Sequence, residues 1–202
     1  MPRLVLATRH EGEIAELRTL LAPLGWEGVH PGETAAATVA YNQGGSTHRD
    51  QAVNRARTFA EAAGMPALAL ATALQVYALD QQPGVRTHDY AGEAATDAEH
   101  RAKLLAAMQR VPPGQRIALF QATLALAVPG EERVRASSST LECEITTEER
   151  GTGGHLYDSV TQLQDRKTLA EHDEADRNQK SHRGMAMNQM KRHLAELAAR
   201  QA

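Results

Sequence analysis

The sequence has little of what marks several large classes of protein. Its 202 residues include one cysteine, Cys143, and only 3% aromatic residues. A single cysteine excludes an intramolecular disulfide, and no catalytic-thiol signature surrounds Cys143, so we predict a small residue in a strand. The chain shows neither a signal-peptide pattern nor an apolar run long enough to cross a bilayer. We therefore expect a cytoplasmic protein with no membrane partner.

The chain also lacks a marked excess of either positive or negative charge. The chain carries 22 basic and 25 acidic side chains, which leaves a formal net charge of -3. This balance gives no long-range attraction to nucleic acid, and no basic patch compensates for it, so we expect no nucleic-acid partner. A composition of 42% hydrophobic and 23% charged residues is typical of a globular protein. The length suffices for one continuous core, and we predict a single domain over residues 1–202.

The most apolar part of the chain is the stretch of residues 66–79. Its run is nearly unbroken up to Gln75 and then alternates between apolar and polar residues. This pattern predicts a buried strand that continues into a half-buried one. A turn is predicted at residues 83–85, and the other elements are expected to pack around the strand.

The remaining elements follow from periodicity and from capping signals. Strands are predicted at residues 3–7, 26–30, 116–128 and 133–147, and helices at residues 13–21, 47–63 and from 184 onward. Two capping boxes are predicted, one joining Thr96 to Glu99 and one joining Thr168 to Glu171. Helices that alternate with strands indicate an α/β fold with a mixed central sheet.

The loop between the first strand and the first helix contains Gly12. A strand, a short glycine-containing loop and a helix N-terminus can cradle an anion, because the first amides of a helix have no partners within it. Gly12 alone does not distinguish such a cradle from an ordinary turn.

Six motifs occur along the chain in a characteristic order and spacing. They are Thr8-x-His10-x-Gly12-Glu13-x-x-Glu16, Gln43-x-Gly45-x-Thr47-His48-x-Asp50-Gln51-Ala52, residues 69–79, residues 83–92, residues 153–159 and Ser181-His182-Arg183. Together they resemble the inosine triphosphate pyrophosphatase family, which hydrolyses non-canonical purine nucleoside triphosphates to the monophosphate and pyrophosphate. The resemblance covers about residues 4–194. It implies a mixed central sheet with flanking helices, two lobes around a cleft, and a homodimer.

The sequence departs from this family at the positions that the resemblance assigns to Mg²⁺ and phosphate. The family's metal-binding glutamate and paired aspartates correspond to Gln43, Leu70 and Ala71, and its phosphate-binding lysine corresponds to Glu13. Leu70 and Ala71 offer no metal ligand and no general base. We therefore consider Mg²⁺ unlikely at this site and expect the ordinary Mg²⁺-dependent reaction to be absent or weak.

The end of the site that the resemblance assigns to the purine is partly kept. His155 stands where the family has a stacking aromatic residue, and an imidazole can also stack on a ring. The resemblance thus implies a planar small-molecule ligand. The predicted ligand-binding residues are Thr8, Gly12, His155, Tyr157, Asp158, Arg177, Ser181, His182 and Arg183.

Histidines are concentrated in the family motifs. Of the nine in the chain, five lie there, namely His10, His48, His88, His155 and His182. Imidazoles with a nearby carboxylate suit Zn²⁺ or Fe²⁺, so a transition-metal site of His10, His48, His88 and Asp89 is one hypothesis. His10, His48, His88 and Glu13 are the predicted catalytic residues. The alternative is that the histidines are scattered and hold no metal.

Three functions remain open on the sequence alone. The first is an enzyme repurposed to a different small substrate, nucleotide-like or not, with the histidines as metal ligands or as general acid and base. The second is a purine-binding protein without catalysis. The third is an altered pyrophosphatase in which Glu16, Asp50 or Asp158 holds the metal.

Overall fold

The computed structural model describes residues 1–40 and 44–201, so the predicted role of Gln43 lies outside the described residues. The described chain forms seven strands and five α-helices. The strands are β1 (Arg3–Leu6), β2 (Glu27–Val29), β3 (Ala67–Val76), β4 (Gln82–Gly84), β5 (Ile117–Ala127), β6 (Arg135–Ile145) and β7 (Thr161–Gln162). The helices are α1 (Glu11–Leu21), α2 (His48–Ala63), α3 (Asp97–Ala107), α4 (Glu174–Lys180) and α5 (His182–Gln201).

The strands form one sheet in the order β2-β1-β3-β5-β6-β7, with β4 also paired to β3. Strand β1 runs parallel to both β2 and β3, whereas β4 is antiparallel to β3 and β7 is antiparallel to β6. Both orientations occur, which confirms the predicted mixed α/β class.

Strand β3 confirms the buried part of the predicted central strand and corrects its end. Every residue of Ala67–Val76 is buried except Gln75, which is half-buried. Tyr77–Leu79 then forms a 3₁₀ turn, so the predicted half-buried continuation is wrong. The predicted turn at residues 83–85 is also wrong in part, because Gln82–Gly84 pairs with β3. The proline in β4 has no backbone N–H to donate. It is tolerated because β4 is an outer strand, where that missing hydrogen bond does not interrupt the sheet.

Helix ends follow the predicted local signals closely. The Thr96 and Glu99 side chains each bond to the other residue's backbone N–H, which forms the predicted capping box of α3. The box of Thr168 and Glu171 is also present but opens only a short 3₁₀ turn. Helix α4 has no counterpart among the predicted elements. Asp173 caps it by accepting a hydrogen bond from Asp176 N at 2.8 Å.

The chain divides into two compact units. The first comprises Met1–Ala71, Ala122–Ser139 and Met185–Ala202, and the second comprises Thr72–Gln121 and Thr140–Gly184. In the first unit, one apolar cluster includes Leu70 with Met187 and Met190 of α5, and another includes Phe59 and Ala71. In the second unit, Phe120, Tyr157 and Leu104 belong to one cluster. The assignment of residues 1–202 to a single domain stays a prediction.

Cys143 lies in β6 and is only 6% exposed, as expected of a small strand residue. Burial raises the pKa of its thiol to about 12, so the reactive thiolate is scarce at neutral pH. Among the described residues, no helix has both the length and the apolar character needed to cross a bilayer.

Candidate functional site

In the first unit, Thr8 and Glu13 form a buried pair beside the N-terminus of α1. Neither residue is exposed to solvent. The Thr8 hydroxyl donates to Glu13 Oε2 at 2.6 Å and accepts a hydrogen bond from the backbone N of His10 at 3.2 Å. The loop between β1 and α1 is therefore held by its own side chains, including the carboxylate predicted to be catalytic.

His10 caps helix α1. Its Nδ1 accepts a hydrogen bond from the backbone N of Glu13 at 3.3 Å, so this nitrogen carries a lone pair and no proton. Gly12 lies in the first helical turn and is half-buried. Capping by His10 was missed at the sequence level, because serine, threonine, aspartate and asparagine are the usual N-cap residues.

His48 is the first residue of α2, directly after the N-cap Thr47. Burial lowers the pKa of its imidazole, and the Arg49 cation lowers it further against the opposing effect of Asp50. The imidazole is therefore neutral at pH 7 and chemically able to bind a metal or accept a proton. Asp50 is engaged in the helix cap, since its Oδ2 accepts hydrogen bonds from Thr47 N at 3.2 Å and Ser46 Oγ at 3.1 Å.

Leu70 and Ala71 lie at the positions that the resemblance assigns to Mg²⁺ ligands. They are 0% and 2% exposed and belong to apolar clusters of the first unit. The polar contact at this point comes from the backbone, where the Leu70 carbonyl accepts a hydrogen bond from Arg55 Nη1 at 3.2 Å. Mg²⁺ takes oxygen ligands, chiefly carboxylates and water, so these side chains do not fit it.

In the second unit, Asp158 and Arg183 form a buried ion pair. The two residues are 1% and 3% exposed. Arg183 Nη2 lies 2.9 Å from Asp158 Oδ1 and 2.7 Å from Oδ2, and the backbone N of His155 donates to Oδ2 at 3.1 Å. The carboxylate thus joins the glycine-rich loop of residues 151–158 to the start of α5.

The aromatic groups next to this pair are also buried. The His182 ring stacks on Phe120 with centroids 4.3 Å apart and planes inclined by 15°. The Tyr157 hydroxyl donates to the Thr87 carbonyl at 3.1 Å, and burial raises the pKa of this phenol. Phe120 was missed in the sequence because it lies within a strand predicted only from its apolar pattern.

Ser181 and Arg177 act on the backbone around α4 and α5. Ser181 Oγ accepts a hydrogen bond from Gly184 N at 3.0 Å, and Arg177 Nη1 donates to the His172 carbonyl at 3.1 Å. A Cβ atom at Gly184 would lie 1.6 Å from the Asn178 carbonyl oxygen, so only glycine fits there. The Ser-His-Arg motif is thereby held rigidly between two helices.

The remaining predicted metal ligands have local partners. His88 Nε2 lies 3.0 Å from Thr72 Oγ1, and Asp89 forms an ion pair with Arg86 at 3.4 Å. Within neither unit do the described histidine, cysteine, aspartate and glutamate side chains bring three ligand atoms close enough to hold one metal ion. The structure does bring together Thr8, His10 and Glu13 in the first unit, and His155, Asp158 and Arg183 in the second.

Comparison with known proteins identifies the family of this chain. A model of the Ham1 family matches residues 4–193. The chain belongs to the Ham1 family. It is 38% identical to a dITP/XTP pyrophosphatase of Desulforamulus reducens over 92% of both chains, and 37% identical to one of Geobacter sulfurreducens over 96% of this chain and 97% of that one. The solved structure of a HAM1 protein from Coxiella burnetii, 33% identical, superposes with a TM-score of 0.81 over 97% of this chain and all of that chain. The family resemblance drawn from the motifs is confirmed.

The first prediction concerns the buried ion pair. Asp158→Asn removes the negative charge that pairs with the buried Arg183 cation and should lower the free energy of unfolding by about 3–5 kcal/mol. Urea denaturation measures this change. The exposed pair of Arg3 and Glu27 is the matched control, and Glu27→Gln should cost less than about 1 kcal/mol. Asp158→Asn with Arg183→Met should cost less than the sum of the single changes, and strict additivity would contradict a direct pair.

The second prediction concerns His48. Folding lowers the pKa of His48. As the pH falls through the ordinary histidine range at about 6.5, the unfolded chain therefore binds more protons than the folded chain. His48 therefore contributes stability above that range, and the contribution is lost on acidification. An NMR titration should give a midpoint below that of an exposed histidine. Arg49→Gln should raise the midpoint. An unchanged midpoint in that variant would contradict the effect assigned to the Arg49 cation.

Proposed function

We propose that this chain is a purine nucleotide-binding member of the Ham1 family in which Mg²⁺-dependent pyrophosphate release is lost or strongly reduced. The ligand class is the non-canonical purine nucleotides, as in the names of the dITP/XTP pyrophosphatases it resembles. The observation that carries the proposal is the burial of Leu70 and Ala71 among apolar side chains.

The central strand supports the loss of Mg²⁺ chemistry. A divalent cation leaves water only where oxygen ligands replace its hydration shell. Leu70 is fully buried, and its backbone carbonyl already accepts a hydrogen bond from Arg55. No side chain at these two positions can hold the ion or activate a water molecule, so no catalytic step is assigned to them.

Glu13 supports weak binding of the phosphate groups. It lies in the first turn of α1, where the helix dipole favours a negative charge. Its carboxylate is buried beside Thr8, so the acidic group lies close to the helix end where an external anion would otherwise be attracted. A phosphate brought within ~4 Å would be repelled by about 1 kcal/mol in water and by more in a partly buried site.

The second unit supports retained recognition of a planar base. Asp158, Arg183 and His182 are held in fixed positions by one another and by Phe120. Groups that are already ordered lose little conformational entropy when a ligand binds. His155 is half-buried on the adjoining loop and can stack on a ring.

A repurposed enzyme is the second candidate, and the neutral imidazole of His48 favours it. In this proposal His48 serves as a ligand of a transition metal, or as a general acid or base. A retained pyrophosphatase is the third candidate, and the 38% and 37% identity to enzymes of that name favours it. A homodimer and a cytoplasmic location stay predictions.

The third prediction separates these candidates. The chain should bind dITP or XTP saturably in isothermal titration calorimetry yet release no pyrophosphate with Mg²⁺, because no carboxylates stand at positions 70 and 71. The Geobacter sulfurreducens relative serves as the positive control.

Elemental analysis without added metal should find no stoichiometric zinc or iron. Pyrophosphate release with Mg²⁺ at a rate comparable to that of the control would establish the retained enzyme. Bound metal would support the repurposed enzyme, and absence of nucleotide binding would overturn the proposal.

The fourth prediction concerns Glu13. Glu13→Gln removes a buried negative charge and should tighten binding of dITP by roughly five-fold or more, whereas binding of deoxyinosine should change little. Calorimetry in low salt measures both affinities. Glu11→Gln is the matched control, because Glu11 lies in the same helical turn but its side chain is 85% exposed. Equal effects of the two substitutions would show that Glu13 does not face the phosphates.

A further inference from the structure

The first two turns of α3 hold both backbone groups of one residue in the glycine-rich loop. The backbone N of Leu156 donates to Asp97 Oδ2 at 2.7 Å, and the Leu156 carbonyl accepts from Arg101 Nη1 at 2.8 Å. Asp97 and Arg101 are four residues apart, so they lie on the same face of the helix. Two side chains of one helix therefore fix the peptide groups on either side of Leu156.

Leu156 needs such support because of its backbone conformation. Its φ is 53°, in the left-handed region that non-glycine residues seldom adopt. A residue persists there only where its surroundings hold it. The Leu156 side chain is 4% exposed and packs in the apolar cluster of the second unit, and the two hydrogen bonds supply the polar part of the restraint.

Arg101 also binds the base of the same loop. Its Nε lies 2.7 Å from Glu149 Oε2, and the Ser159 hydroxyl donates to that same oxygen at 3.0 Å. The backbone N of Arg150 donates to the Ser159 carbonyl at 2.8 Å, which closes the loop at its two ends. One guanidinium therefore connects the base of the loop to Leu156 near its far side.

The residues on either side of Leu156 are His155 and Tyr157, both predicted to contact the ligand. The peptide group that Asp97 holds joins His155 to Leu156, and the one that Arg101 holds joins Leu156 to Tyr157. We propose that Asp97 and Arg101 are positioning residues for ligand binding, which fix His155 and Tyr157 through the left-handed conformation of Leu156. This inference rests on the proposed nucleotide-binding function.

The test compares four variants in the full chain. Asp97→Ala removes the acceptor for Leu156 N, whereas Asp97→Asn keeps an oxygen at that place. Arg101→Met removes the donor, and Arg110→Met is its matched control, an exposed arginine just beyond α3. Affinity for dITP without added metal should fall about ten-fold in Asp97→Ala and in Arg101→Met. It should stay within about three-fold of the wild type in Asp97→Asn and Arg110→Met.

Hydrogen exchange of the ligand-free protein gives a second, independent measurement. Amides of residues 153–157 should exchange faster in Asp97→Ala and Arg101→Met, while those of β3 keep their protection and show that the fold is intact. Unchanged loop exchange, or faster exchange with unchanged affinity, would overturn the positioning role and leave the proposed function standing. If the wild type itself binds no dITP, the proposed function fails and the positioning role fails with it.

Discussion

The burial of β3 along nearly its whole length is the constraint on which most of the structure depends. An apolar strand that is buried on both faces needs neighbours in the sheet and side chains above and below it. Strands β1 and β5 lie on its two sides, and its residues share apolar clusters with Met187 and Met190 of α5 and with Phe59. The same burial places Leu70 and Ala71 in surroundings that exclude a hydrated cation. The residues that stabilise the fold therefore include the two positions to which the resemblance assigns Mg²⁺ ligands.

A second theme is that the polar groups predicted to have functional roles bond to partners within their own unit. Thr8 bonds to Glu13, His10 caps α1, Asp50 caps α2, and Asp158 pairs with Arg183. Buried polar groups need such partners, because an unpaired one costs free energy of desolvation. Side chains held in this way are suited to positioning and recognition.

Membership of the Ham1 family is compatible with substitutions at single positions. A fold is specified by many buried positions, and the TM-score of 0.81 against the Coxiella burnetii protein shows that the two chains share the fold. A reaction depends on far fewer positions, and substitution of two or three of them leaves packing intact. At position 70 the apolar side chain even joins the core, where a carboxylate would have needed a metal or another partner.

The sequence by itself determined the local elements and the family. The capping box of Thr96 and Glu99 depends on residues three apart, and the burial of β3 depends on a continuous apolar run, so both were predictable from short windows. Only the tertiary structure decided that residues 82–84 pair with β3 and that Asp158 bonds to Arg183, 25 residues away. It also decided that Phe120 supports His182 and that α3 holds Leu156. Such contacts join distant parts of the chain, and neither partner carries a local pattern that identifies the other.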